Sequence, residues 1–282
     1  MCLDEFRLRN FKLWHPIPVD FTHSPWLSLP FFVFYRVIVT GYNLAWLIYN
    51  IYLKQVKLFI YLTDWTYLML NLYFLFATTL TISAFYHEYR MRRAARPSTN
   101  EKREPGVEIE MGSGDENANR YDAATEEARE EDALRIHHKM LWFLYIISAN
   151  AGLVVTAGYW PWSVIYEDNE PIDVNNITKH ALNTVFILID TFLSSVPVRL
   201  FHSVYPMLYM VVYMSFTVAY WQLGGTNLKG EPFIYTLLDY DNFEASTGVI
   251  IAAYLLLGQP ILQLILFGFV KIRDCLRGRQ EN

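Results

Sequence analysis

Apolar residues in this chain come in long runs rather than in alternation with polar ones. Six runs stand out, at 31–53, 58–86, 140–160, 177–195, 200–223 and 248–270. A helix needs about 20 apolar residues to cross the hydrocarbon of a bilayer. The ten-residue alternating segments of a membrane β-barrel are missing. The pattern predicts an all-α, polytopic integral membrane protein with about six transmembrane helices.

Each run has its own punctuation. The first starts after Pro30, a good helix-start residue, and carries Arg36, which is expected to snorkel to the headgroups. The second holds Thr63, Asp64, Thr66 and Asn71 in its first half, so that half is expected to face protein rather than lipid. The third ends in an aromatic belt of Tyr159, Trp160 and Trp162. Pro197 closes the fourth, and Gly258, Gln259 and Pro260 predict a kink in the sixth. Between the fifth and sixth, Gly224, Gly225, Gly230 and Pro232 give residues 224–247 turn chemistry.

Charge sorts the ends. Lys and Arg gather in the tail 1–30, in 87–138, at Arg199 and in the basic tail 271–282, so both termini are expected to be cytosolic by the positive-inside rule. Lys54 and Lys57, in the first outer loop, run against that assignment. The expected division is a cytosolic tail 1–30, helices in 31–86, a largely disordered loop 87–138, helices in 139–270 and the tail 271–282. Within the loop, 97–120 is too polar to offset its ordering entropy, and 122–138 has helical composition that would extend the third span into water.

Composition agrees: 53% of the 282 residues are hydrophobic and 17% aromatic, and mean hydropathy is +0.16. The net charge of −5 leaves no footprint for nucleic acid. Cys2 and Cys275 lie on the side expected to be cytosolic and are read as free thiols, with palmitoylation as the other option. No apolar stretch in the first 25 residues suits a cleaved signal peptide. Asn176, Ile177 and Thr178 form a glycosylation sequon close to the fourth span. His137 and His138 are adjacent on a helix and point apart, so no metal site is expected from them, and no cofactor is implied.

The chemistry concentrates in 176–206, which places His180, Asp190, Arg199 and His202 within or beside apolar helix. Ionisable groups at membrane depth are functional candidates by default, although a histidine one turn inside a span also serves as a packing residue. The second and fourth spans both start at the outer face, so Thr63, Asp64 and His180 lie roughly 5 to 10 Å inside one boundary. Asp190 is roughly 15 Å deeper than His180. His202 sits near the opposite face. A histidine beside a hydroxyl is the minimum for nucleophilic catalysis, and Asp64 is the carboxylate near enough to orient the imidazole. Threonine in a membrane helix also serves packing alone.

The run HALNTVFILIDTFLSSVPVRLFHSVYP, with YLTDWTYLML before it and GGTNLKGEPFIYTLLDYDNF after it, resembles the rolling stone family of animal membrane proteins over about residues 30–272. The name-giving member of that family is associated with myoblast fusion, so the resemblance implies a plasma-membrane role in cell fusion or differentiation. A more distant similarity is to the androgen-induced membrane hydrolases, which cleave fatty acid esters of hydroxy fatty acids with a Thr and a His inside the bilayer. His180, the FILI run at 186–189 and Asp190 fit their histidine motif, and Leu62 and Thr63 fit their nucleophile motif. That similarity implies Thr63 as nucleophile, His180 as base and a lipid ester as substrate, in the plasma membrane or endoplasmic reticulum. The chain departs from that group in the TDW after the leucine and in its inserted loop. A transporter is a third class, supported by helix-breaking Pro197 and Pro260, although no internal repeat is evident.

Overall fold

The computed structural model describes residues 3–94, 134–166, 174–242 and 245–280, and among these the regular structure is helical, with no strand. The chain runs through α1 (Leu29–Lys54), α2 (Leu62–Ala94) and α3 (Ile136–Tyr166). Next come α4 (Val174–Ile177), a π turn at Thr178–Leu182 and α5 (Asn183–Leu193). After α6 (Val204–Gln222), α7 (Ala245–Ala253) passes through a second π turn, Tyr254–Gly258, into α8 (Gln259–Gln280).

Five stretches among the described residues are long and apolar enough to cross a membrane: Leu29–Leu53, Leu62–Ala94, Ile136–Pro161, Leu200–Gln222 and Ala245–Gly278. The run from α4 to α5 is absent from that set because it carries Lys179, His180, Asn183 and Asp190, all buried in the bundle. It nevertheless travels from one end of the molecule to the other. At one end Lys179 meets Asp64 at the start of α2. At the other, Arg273 of α8 donates to the carbonyls of Thr191, Ser194 and Val196.

That second end also gathers the amino-terminal segment: Arg199 pairs with Glu5 and the Trp26 indole donates to the Phe192 carbonyl. Both described termini therefore lie at one end of six alternating helical passes. The opposite end holds the turn before α2 and the loop 223–242, joined by Lys57 donating to the Asn227 carbonyl at 2.7 Å.

Phe31 and Phe34 are about two-thirds exposed on α1, and Leu264 and Ile265 are exposed on α8. An apolar surface of this extent is the face a bundle turns to lipid. The interior is aromatic and polar together. Tyr73, Phe74, Trp142, Tyr145 and Ile187 pack in one fully buried cluster.

Arg36 is not a snorkelling residue. It is fully buried and forms an ion pair with Asp190 at 3.3 Å, while its third nitrogen donates to Thr81 Oγ1 at 2.7 Å. The Tyr73 hydroxyl donates to the same carboxylate. A charge at that depth needs a counter-charge and saturated hydrogen bonds, and Asp190 and the α2 hydroxyl supply both.

The predicted break near Pro260 takes the form of the π turn Tyr254–Gly258. Proline has no N–H to bond the carbonyl four residues back, and the wider turn absorbs that gap. α2 continues eight residues past the expected end at 86, to Ala94, where Glu88 holds both Arg92 one turn on and His23 of the amino-terminal segment. The stretch expected to be disordered, 97–120, and the helical composition at 122–133 lie outside the described residues.

Candidate functional site

A cavity of about 720 Å³ opens at the end of the bundle beneath the loop 223–242. The start of α2, the far part of α3, α6, α7 and that loop wall it. Thr63 and His180 both line it, as the sequence placed them at one boundary. Asp64 does not line it. Its buried carboxylate accepts a hydrogen bond from the equally buried Lys179 ammonium.

The arrangement follows from local structure. Asp64 is next to Thr63 and Lys179 is next to His180, so one ion pair draws the two helix starts together and sets both neighbours against the same space. His180 lies in the π turn Thr178–Leu182, which shifts the backbone out of α register. Its carbonyl accepts the Trp160 indole N–H at 3.0 Å, and its ring stacks on Tyr159 at 3.6 Å between centroids and 8° between planes. The imidazole is thus held flat between a helix and an aromatic wall.

The loop contributes Tyr235, a residue the sequence reading passed over. Its hydroxyl accepts the Leu62 N–H at 3.0 Å, beside Thr63. Burial pushes the Tyr235 phenol up to about 12, so it stays a neutral donor. The signal for it in the sequence was slight, one tyrosine among twenty. Lys179 is buried as well, and its counter-ion is the carboxylate already singled out at Asp64.

Asp190, Arg199 and His202 are elsewhere. Asp190 serves Arg36, Arg199 pairs with Glu5, and His202 packs edge-on against Trp142 with its ring nitrogen 3.4 Å from the Lys12 carbonyl. The amino-terminal segment thus covers His202, and none of its described residues lines the cavity.

A family model described as "Protein rolling stone" matches residues 119–279. The chain is 28% identical over 137 residues to the Protein rolling stone of Drosophila melanogaster, an alignment covering 48% of this chain and 49% of that protein. The chain thus aligns with about half the length of that curated relative. No solved structure matches. The matched region contains Lys179, His180 and Tyr235, whereas Thr63 and Asp64 precede it. With its multi-pass helical architecture and a match over more than half its length, the chain belongs to the rolling stone family.

Proposed function

We propose that this multi-pass membrane protein acts in cell fusion or differentiation, at the plasma membrane, with both termini in the cytosol. The observation that carries the reading is the family match across residues 119–279, over four of the six helical passes and the loop above the cavity. The cavity end, which also carries the Asn176 sequon, is the face a neighbouring cell would meet. Disrupting the gene in cells that fuse, then restoring the intact chain, tests it. Fewer fused cells after disruption and recovery on restoration support the role, and unchanged fusion overturns it.

A second reading rests on Thr63 and His180 lining one cavity. In it, His180 takes the proton from Thr63 Oγ1 as that oxygen attacks the acyl carbon of a lipid ester. The alcohol leaves with the proton, and water then releases the acid from the acyl-threonine. Asp64 and its Lys179 partner act as positioning residues through their neighbours. Labelling of purified protein with a fluorophosphonate probe distinguishes the readings. Label on the wild type that is lost in Thr63→Ala favours the hydrolase, and no label on folded protein removes it.

A further inference from the structure

The cavity is shaped for one kind of molecule. The end beneath the loop carries the polar lining, with Tyr61, Asn227, Lys229, Glu231 and Tyr235 set among the loop's apolar Phe233 and Ile234. Deeper in the bundle the wall is apolar, from Val154, Val155, Met210, Ile251 and Leu255. Methionine adds side chains that adapt to a flexible guest. The volume of about 720 Å³ lies within the usual range of ligand pockets. A space of that size suits one acyl chain with a small head.

The route in is also visible. α7 and the π turn after it bury no residue. Ile250 of α7 lines the cavity while remaining 54% exposed, so a single thin helix separates the cavity from the lipid-facing surface. A π turn directly below it, at Tyr254–Gly258, gives that helix a weak point about which to move.

We infer that the cavity is a lateral-entry chamber for one single-chain amphiphile of the fatty-acyl class, which enters from the bilayer past α7 and seats its oxygen-bearing head beneath the loop 223–242. The inference needs binding and no turnover, so it stands apart from both readings of function. The tail gains apolar burial and the head finds phenol and amide groups, which is the segregation an amphiphile requires.

The test uses the full chain in lipid nanodiscs and a fatty acid carrying a mid-chain diazirine and a terminal alkyne. This probe has no ester, so its capture reports binding whatever becomes of the hydrolase reading. Saturable photolabelling is expected on peptides containing Met210–Met214 and Ile250–Leu255, reduced several-fold by excess unlabelled oleic acid. Ile251→Trp, which fills the chamber, is expected to lower it several-fold. Label that does not saturate, or that falls equally on the outer Phe31–Phe34 face of α1, overturns the inference. So does undiminished label in a folded Ile251→Trp protein. If that variant does not fold, the mapped and competed labelling of the wild type decides alone.

Discussion

Lys179 donates to Asp64 across the start of two helices, and each is the immediate neighbour of a residue lining the cavity. Both are buried, so removing one partner strands a charge. Lys179→Met alone or Asp64→Leu alone is predicted to cost about 3 to 5 kcal/mol. The double variant is expected to recover most of that loss, since a buried pair and an apolar pair of similar volume differ little. Unfolding midpoints of the four proteins in one detergent check it, and additive losses in the double variant would rule the pair out as a clamp.

Arg36 and Asp190 are predicted to behave alike deeper in the bundle, with a third member. Tyr73→Phe removes the phenol that donates to Asp190 and is expected to cost about 1 to 3 kcal/mol. Arg36→Leu is expected to cost more, about 3 to 5 kcal/mol, because it leaves Asp190 with an uncompensated charge. The measurement is again thermal unfolding, with the order of the two variants as the decisive result.

These pairs mark where the sequence could and could not be read. Hydrophobic runs about a bilayer thick fixed six passes and the helix breaks near Pro197 and Pro260, because length and proline act locally. The meeting of Thr63 with His180 was legible too, since topology alone puts the starts of the second and fourth runs at one boundary. Pairing was not legible. Nothing local tells that Arg36 finds Asp190, 154 positions away, in place of the headgroups. Tyr235 was missed for the same reason: its role depends on a loop folding back over the start of α2.

A chain of side-chain amides runs along the inside of the bundle. Tyr254 donates to Gln259, Gln259 to Asn150, Asn150 to Gln263, and Gln263 to the Arg199 carbonyl, with distances between 2.7 and 2.9 Å. Asn150→Leu cuts it at the centre and leaves two glutamines without their partner. The predicted loss is about 1 to 3 kcal/mol, and Gln263→Leu in that background is expected to add much less than it does alone. A double-mutant cycle on unfolding midpoints reads the coupling, and strict additivity would contradict it.

Asp239 closes the loop turn by accepting the backbone N–H groups of Asp241 and Asn242 and the Asn242 side chain. The Asn242 side-chain hydrogen bond leads the contacts that hold its carboxyl below the ordinary 3.8. A depressed carboxyl supports the turn above the ordinary value and loses that support as pH falls through its folded value. The Asn242 amide resonance is therefore expected to hold steady at neutral pH and to move in acid with a midpoint below 3.8. Asp239→Ala should abolish that movement, and a transition above the ordinary value contradicts the turn.

The role in cell fusion is tested most directly by restoring disrupted cells with two variants that both reach the surface. Tyr235→Ala removes the phenol that holds the loop to the start of α2, while Phe34→Leu changes only the lipid-facing side of α1. The account predicts that Phe34→Leu restores fusion as the wild type does and that Tyr235→Ala restores little. Full restoration by Tyr235→Ala would contradict it, because fusion would then proceed without an intact cover on the cavity.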